Sequence, residues 1–247
     1  IVNLVFFSPE DLNIIKNGPS ERRRFIDMEL CQLNKLYVHS LVQYNKVLVQ
    51  RNKLLKELAF RPDYGETLDV WDMQLVNYGK EVMEYRGDFV CRLNEMIHGI
   101  HARLSGQKED LKICYEPDTD AAQFEEALKR SRPQDMKQKT TLCGPHRDDI
   151  SFFVNGIDIR KFGSQGQQRT AALSLKLSEL ELVKQLIHDR PILLLDDVLS
   201  ELDAGRQDFV LNQLREGQVF ITCCETDRLT SLGQVLSIRS GTIGGAQ

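Results

Sequence analysis

The chain has 247 residues, with 32 basic and 36 acidic side chains and a formal net charge of -4 at pH 7. That length suffices for one large domain or two ordinary ones with a sizeable core, and a composition of 41% hydrophobic and 28% charged residues excludes wholesale disorder. No apolar run approaches the roughly 18 residues of a membrane-spanning helix, so a transmembrane helix is excluded.

The first part of the chain predicts a strand followed by two long helices. Residues 1–7 form an apolar run typical of a buried strand, and Pro19 marks the start of a helix. Apolar side chains then recur at steps of three and four over residues 26–55 and again over residues 68–104. Each predicted helix has about 35 residues and a length of roughly 50 Å. We therefore expect an antiparallel helical hairpin that forms an arm or lid.

Beyond residue 105 the pattern changes to strands that alternate with helices. The predicted elements are a strand at 111–115, a helix at 121–129 capped by Asp118, a loop at 131–139, a hairpin around Asn155-Gly156, a helix at 164–187, a strand at 191–195, a helix at 203–214 and strands at 219–222 and 235–238. This alternation predicts a parallel sheet of the α/β class. Such sheets bind ligands at the carboxyl ends of their strands.

Two carboxylates follow the predicted strand at residues 191–195. Asp196 at that position can hold Mg²⁺ beside nucleotide phosphates, directly or through water. Asp197 is offset by one residue and can orient or deprotonate a water molecule. Asp196 is therefore the predicted metal ligand and Asp197 the predicted catalytic residue. The alternative is a strand followed by a solvated acidic turn.

Two further polar groups accompany these carboxylates. Ser and Gly at the mouth of a predicted helix supply a hydroxyl, free N–H groups and the positive end of the helix dipole, as a phosphate site requires. A third acid follows seven residues after Asp196. The candidate nucleotide-binding residues are Ser164, Gln165, Gly166, Gln167 and Asp203. Each motif alone is better explained as a helix cap, but their order and spacing together favour a nucleotide site.

Basic residues concentrate near the start of the chain. Residues 1–60 contain nine basic and six acidic side chains, and Arg22, Arg23 and Arg24 are consecutive. We predict that these three arginines contact the DNA phosphate backbone, which would make binding dependent on salt and indifferent to base sequence. The alternative is a solvated helix start.

Two other groups of side chains also allow a functional and a structural interpretation. His146, Asp148 and Asp149 could form a metal site, but a structural turn is the better interpretation because so tight a Gly-Pro turn rarely aims three ligands at one ion. The six cysteines contain no C-x-x-C pair, which predicts reduced thiols in a cytoplasmic protein. A redox pair at Cys223 and Cys224 is the alternative.

Several stretches of the sequence resemble the RecF family of ABC ATPases. Ser164-Gln165-Gly166-Gln167 is similar to the ABC signature motif, Asp196-Asp197 to the end of a Walker B strand and Ser200–Asp203 to a D-loop. The remaining similar stretches are Phe7–Leu12, Pro19–Asp27 and Gly144–Asp149. The resemblance implies an α/β ABC-type ATPase head with a parallel sheet and an inserted α-helical hairpin. Residues 1–19 and 136–247 would belong to the head, and residues 20–135 to the helical lid.

The resemblance also implies a function. An ATP-dependent homodimer would bind double-stranded and gapped DNA and, with RecR and RecO, promote RecA loading. Asp196 would hold Mg²⁺, Asp197 would act on the attacking water, and Asp203 would line the dimer seam. Ser164 and Gly166 would cover the γ-phosphate of the ATP bound by the partner subunit.

The sequence departs from the family pattern in three ways. Asp197 stands where many relatives have Glu, and residues 219–222 offer Thr222 where many ABC ATPases have a switch His. No G-x-x-x-x-G-K-[ST] motif is present, since the only Gly-Lys pair, at Gly79, lacks the preceding glycine. We therefore expect a fragment without its Walker A region, which on its own neither binds ATP tightly nor hydrolyses it.

Two alternative functions remain open on the residues alone. A structural head related to SMC proteins would act as a tether, although its arms would need hundreds of residues. A Mg²⁺-dependent nuclease would use Asp196 and Asp197, together with further carboxylates that converge on them.

Overall fold

The computed structural model describes residues 3–57, 65–213, 217–224, 233–239 and 241–244. Packing divides the chain into two compact units. Residues 1–9 and 192–247 form the first unit, and residues 10–191 form the second. The predicted boundaries of the head and lid domains stay a prediction, because compactness within this chain does not define the family's domains.

Helices account for most of the described chain. In order they are α1 (Pro19–Leu33), α2 (Lys35–Glu57), α3 (Gly65–Leu104), α4 (Phe124–Gln138), α5 (Ile159–Phe162), α6 (Gln165–Ile187) and α7 (Ala204–Gln213). The strands are β1 (Leu4–Phe7), β2 (Leu111–Glu116), β3 (Asp149–Val154), β4 (Ile157–Asp158), β5 (Ile192–Asp196), β6 (Val219–Thr222), β7 (Ile238–Arg239) and β8 (Thr242–Ile243). Among the described residues, no helix combines the length and apolar character needed to cross a membrane.

The first unit is built on a parallel sheet, as the sequence predicts. The strand order is β1-β5-β6, and both pairs of neighbours run parallel. Alternate side chains of the sheet, including Val5, Phe7, Leu193 and Leu195, are buried on one face. The register aligns the carboxyl ends of β5 and β6, so that Asp196 lies opposite the last residue of β6.

The last predicted strand is shorter than expected. The sequence predicts a strand at residues 235–238, but only Ile238 of that range is paired, in the two-residue antiparallel ladder of β7 with β8. Leu236 and Ile238 are both largely exposed. This apolar run is therefore not buried, and burial is what a longer central strand would require.

The second unit contains the predicted helical hairpin. Three side-chain contacts between α2 and α3 pair early residues of one helix with late residues of the other: Tyr37 with Arg86, Ser40 with Glu81, and Arg51 with Asp72. The two helices are therefore antiparallel. Helix α3 alone has 40 residues, or a length of about 60 Å. The predicted break at residues 61–65 lies almost entirely outside the described residues.

The single helix predicted across residues 26–55 is wrong, because the chain breaks at Asn34. Asn34 has extended dihedral angles, with φ -138° and ψ 109°. Its Oδ1 accepts hydrogen bonds from the N–H groups of Leu36 at 2.9 Å and Tyr37 at 3.3 Å. Asn34 therefore ends α1 and caps α2. The apolar spacing continues across the break, which is why periodicity alone does not reveal it.

The loop predicted at residues 131–139 is also wrong, because α4 continues to Gln138. The buried carboxylate of Asp135 forms an ion pair with Arg51 of α2 at 2.7 Å, and this long-range pair holds the polar segment in the helix. The predicted cap is displaced as well. Asp120, not Asp118, accepts a hydrogen bond from the Ala122 N–H at 2.8 Å.

A fully buried arginine ties three helices of the second unit together. The Arg51 guanidinium is 0% exposed and donates to Asp72 of α3 at 2.6 Å and to Asp135 of α4 at 2.7 Å. It also donates to the Thr141 hydroxyl at 2.8 Å. Buried charges of this kind are costly unless paired, so Arg51 favours one arrangement of α2, α3 and α4.

An antiparallel sheet, β2-β3-β4, completes the second unit and packs with helix α6 against α3. The predicted hairpin is confirmed: β3 and β4 are joined by Asn155 and Gly156, both with positive φ, as a tight two-residue turn requires. Helix α6 is buried along much of its length, and Ala171, Ala172 and Leu173 are fully buried. The N-terminus of α6 is thus fixed by a packed helix body.

Candidate functional site

Asp196 and Asp197, which we call the acidic strand end, follow the apolar core of β5. Asp196 is exposed, and its Oδ1 accepts a hydrogen bond of 2.6 Å from the Thr222 hydroxyl at the end of β6. The same hydroxyl oxygen accepts a hydrogen bond of 3.0 Å from the Asp197 N–H. Thr222 therefore orients both residues. It lies in the segment where the family resemblance predicts a switch histidine.

Asp197 has an unusual backbone and a buried polar atom. Its φ is +50°, in the left-handed region that residues other than glycine rarely adopt. Its N–H also donates to the Thr222 carbonyl at 3.1 Å, which holds this conformation. The Oδ1 atom is buried and has no hydrogen-bond partner among the described residues. Strained residues with an unsatisfied polar atom are concentrated at functional sites.

These carboxylates fit a small hard cation. Mg²⁺ prefers oxygen ligands and keeps several waters or phosphate oxygens in its shell, and Asp196 supplies an exposed carboxylate while Asp197 supplies an unpaired oxygen. Among the described residues no group of three or more His, Cys, Asp or Glu side chains could hold a metal ion. A cation at the acidic strand end would therefore need further ligands, such as phosphate and water.

The segment after the acidic strand end leads into α7. The Ser200 hydroxyl donates to the Asp197 carbonyl at 2.7 Å. Asp203 accepts a hydrogen bond from the Arg206 N–H at 3.0 Å and forms an ion pair with its guanidinium at 2.9 Å. Asp203 thus starts α7, and its side chain remains 59% exposed.

Ser164–Gln167, which we call the signature cap, opens helix α6 with reciprocal hydrogen bonds. The Ser164 hydroxyl accepts from the Gln167 N–H at 3.2 Å, and the Gln167 side-chain oxygen accepts from the Ser164 N–H at 3.0 Å. This is a capping box. Ser164, Gln165 and Gly166 are exposed. The cap presents a hydroxyl and the positive end of a long helix to the surface, which suits a phosphate.

A tight turn leads into the signature cap. A Cβ at Gly163 would lie 2.6 Å from the carbonyl oxygen of Ile159, so only glycine fits there. The Gln168 side chain donates to the same carbonyl at 2.7 Å. Short helix α5 and the start of α6 are therefore joined in one defined geometry.

The three consecutive arginines have different environments. Arg22 is buried and makes a bidentate ion pair with Asp149, at 2.7 and 3.0 Å. Arg23 is half-buried and donates to the Asp148 carbonyl at 2.7 Å, and burial, followed by the nearby charge of Arg86, lowers its pKa. Arg24 is exposed. Arg24 is thus the best placed of the three for a phosphate contact, and Arg22 is occupied within the fold.

The geometry around the Gly144-Pro145 turn favours the structural interpretation. Asp148 accepts from the Arg86 guanidinium at 3.1 Å, and Asp149 pairs with Arg22. The His146 ring contacts the Tyr44 hydroxyl at 2.7 Å, and burial lowers its pKa. The three side chains therefore have separate partners and do not converge on a common point.

The cysteines do not form disulfides in the structure. Burial raises the pKa of Cys223, and the nearby Cys224 and Asp197 raise it further. A raised thiol pKa disfavours the thiolate needed for redox exchange, which argues against the redox pair.

The structure adds two residues to the site that sequence reasoning missed. Glu109 Oε1 accepts a hydrogen bond of 2.9 Å from the side-chain amide of Gln167. Glu109 Oε2 lies 3.3 Å from Nε2 of the fully buried His101. Glu109 and Gln167 are 58 positions apart, and no local motif links them.

A parallel strand that ends in two carboxylates, an inserted helical hairpin and a capped helix beginning Ser-Gln-Gly-Gln define an ABC-type ATPase head. A solved structure of the recombination mediator protein RecF with ATP, in the RecFOR pathway, superposes with a TM-score of 0.89 and 35% identity over 98% of this chain and 67% of that chain. The chain belongs to the RecF family.

Curated relatives agree with this assignment. The DNA replication and repair protein RecF of Agathobacter rectalis is 60% identical over 92% of this chain and 63% of its own length. The protein of the same name from Lachnospira eligens is 60% identical over 90% of this chain and 62% of its own length. The chain therefore spans just under two thirds of these relatives. No family model matches the chain.

Proposed function

We propose that this chain is part of an ATP-dependent DNA-binding recombination mediator. The complete protein dimerises on double-stranded DNA at gaps and acts in the cytoplasm with RecR and RecO to promote RecA loading. The observation that carries the proposal is the exposed signature cap on a buried helix, in a chain that belongs to the RecF family. A solved relative is named as a complex with ATP.

In this proposal the signature cap binds the γ-phosphate of ATP held by the partner subunit. Ser164 and Gly166 are exposed at the positive end of α6, and Gln167 fixes the Ser164 hydroxyl through the capping box. Gln165 contributes an exposed side chain beside them. Asp203, which is exposed at the start of α7, lines the seam between the subunits.

The acidic strand end supplies the hydrolytic residues. Asp196 would hold Mg²⁺, and Asp197 would orient or deprotonate the attacking water through its carboxylate, whose Oδ1 has no hydrogen-bond partner among the described residues. When bound, Mg²⁺ would neutralise phosphate charge. Hydrolysis is slow because aspartate reaches less far than glutamate and because Thr222 offers no imidazole. A chain without a Walker A motif does not hydrolyse ATP on its own.

DNA binds in this proposal near the start of α1. Arg24 is exposed, and Arg23 is half-buried beside it. They border an open groove of about 370 Å³ that also contains Asp27 and Met28. Arg22 supports this surface from inside the fold through Asp149.

The alternative functions find less support. A nuclease would need converging carboxylates, and the described residues contain no such group of metal ligands. An SMC-like tether would need far longer arms than the 40 residues of α3.

Sedimentation of the full-length protein with and without ATP tests the proposal. We expect ATP to shift the wild-type protein from monomer to dimer, and Ser164→Arg to abolish that shift because a bulky cation replaces the cap hydroxyl at the seam. Asn45→Arg places the same side chain on the exposed surface of α2 and should dimerise normally. A wild-type protein that stays monomeric with ATP, or a Ser164→Arg variant that still dimerises, would refute the proposal.

A further inference from the structure

Glu109 lies between the signature cap and helix α3, which we call the arm helix. It lies in the short connection between α3 and β2, where its backbone N–H donates to the Ser105 hydroxyl at 3.3 Å. One carboxylate oxygen accepts from the Gln167 side chain, and the other faces His101. The carboxylate is only 23% exposed, so these contacts are partly shielded from water.

The second contact leads into the buried interface between α3 and α6. His101, near the end of α3, is 0% exposed. Its Nδ1 lies 2.9 Å from the hydroxyl of Ser174, which is fully buried on α6 and donates to the Thr170 carbonyl at 2.8 Å. The His101 imidazole therefore links the arm helix α3 to α6, which we call the signature helix.

These contacts place two hydrogen-bonded groups side by side. One runs from the Ser164 N–H through the Gln167 side-chain amide to Glu109, and the other joins His101 to Ser174. Glu109 Oε2 and His101 Nε2 face each other at 3.3 Å between them, a charge contact without hydrogen-bond geometry. The Gln167 amide uses its oxygen for the capping box and its nitrogen for Glu109. Glu109 thus holds the Gln167 side chain in the orientation that the capping box requires.

We propose that Glu109, supported by His101, is a positioning residue that couples the arm helix α3 to the signature cap. A displacement of the end of α3 moves Glu109 and loosens the Gln167 side chain, which changes the geometry that Ser164 offers to a nucleotide. The functional consequence of this coupling rests on the proposed function, because a less ordered signature cap affects dimerisation only if the cap binds the ATP of the partner subunit. The coupling itself depends only on contacts within this chain.

Hydrogen exchange in the full-length protein tests the coupling without reference to dimerisation. Glu109→Ala should speed exchange of the Gln167 and Gln168 amides about three- to tenfold, as expected when one supporting hydrogen bond is lost. Asp110→Ala is the matched control, because Asp110 is exposed and its carboxylate pairs with exposed His98. Unchanged exchange at the cap in Glu109→Ala would overturn the inference.

A reciprocal exchange of side chains separates positioning from general destabilisation. In Gln167→Glu, a carboxylate faces Glu109 and the hydrogen bond is replaced by repulsion. Adding Glu109→Gln restores a donor and an acceptor in the opposite order. We expect slow cap exchange to return to within about twofold of wild type in the double variant. A double variant as fast as Gln167→Glu alone would contradict the proposal.

Sedimentation of the same variants links the coupling to function. With saturating ATP, Glu109→Ala should weaken dimerisation about three- to tenfold, whereas ATP affinity at protein concentrations that keep the chain monomeric should stay unchanged. Normal dimerisation despite fast cap exchange would overturn the functional half of the inference. If wild type itself fails to dimerise, the proposed function fails, and the exchange measurements alone decide the coupling.

Discussion

At the scale of single residues, Thr222 is the residue that organises the acidic strand end. Its hydroxyl donates to Asp196 and accepts from the Asp197 N–H, and its carbonyl accepts from the same N–H. The short threonine side chain thus contacts the Asp196 carboxylate and the backbone of Asp197. We infer that Thr222, by holding Asp196 Oδ1, fixes the position of Oδ2, the other oxygen of that carboxylate.

Replacing Thr222 should therefore impair metal use. In the full-length protein, Thr222→Val preserves shape but removes both hydroxyl contacts. We expect the Mg²⁺ concentration for half-maximal ATP hydrolysis to rise about tenfold, as for other residues that support a metal ligand. Thr222→Ser retains the hydroxyl and should behave like wild type. Equal Mg²⁺ dependence in Thr222→Val and wild type would show that Asp196 does not need this support.

At the scale of elements, packing of the signature helix α6 against α1 buries an unusual cluster of charges. Glu179 and Glu29 are both buried, and Lys176 Nζ lies 2.6 Å from the Glu179 carboxylate and 5.3 Å from the centre of the Phe25 ring. Burial raises the pKa of Glu179 well above its ordinary value of 4.5. Lys176 opposes this shift, and the charge of Glu29 adds to it. Burial raises the pKa of Glu29 as well.

This cluster predicts a loss of stability as the pH rises. A carboxyl with a raised pKa in the folded state binds its proton more tightly there than in the unfolded chain. Its contribution is complete below the unfolded value of 4.5 and declines as the pH rises towards the folded pKa. Glu179→Gln removes this titration, so the decline in unfolding free energy as the pH rises above 4.5 should be smaller in this variant than in the wild-type protein.

Thermal unfolding over this pH range measures the effect. Glu181→Gln is the control, because Glu181 lies on the same helix but pairs near the surface with Lys184. It should keep the pH dependence of the wild-type protein. A Glu179→Gln variant with the wild-type pH profile would show that Glu179 is ionised in both the folded and the unfolded state.

Sequence patterns predict elements and local motifs well, and long-range partners poorly. The parallel sheet, the helical hairpin and the cap at Ser164 follow from spacing over a few residues, and the structure contains all three. The length of α4 and the burial of Arg22 depend on partners far along the chain, Arg51 and Asp149. Nothing near Arg22 in the sequence distinguishes it from Arg24. Nothing near Glu109 marks it as a partner of the signature cap.

At the scale of the whole molecule, net charge is a poor guide to DNA binding. The total is -4, yet nine of the 32 basic side chains fall in the first 60 residues. Two of these nine charges are neutralised within the fold: Arg22 pairs with Asp149, and Arg51 pairs with Asp72 and Asp135. What matters for a polyanion is the charge left exposed, and Arg24 is one such residue.

The salt dependence of DNA binding distinguishes exposed arginines, which can contact phosphates, from arginines that are paired within the fold. For the full-length protein, Arg24→Ala should reduce the slope of log affinity against log salt by about 0.9, the loss of one phosphate contact. Lys129→Ala, which removes an exposed charge from α4, should leave the slope unchanged. Arg22→Ala should instead lower thermal stability, because it removes a buried partner of Asp149, and should alter the slope only through unfolding. An unchanged slope in Arg24→Ala would remove the start of α1 from the DNA interface and direct the search to another surface of the complete protein.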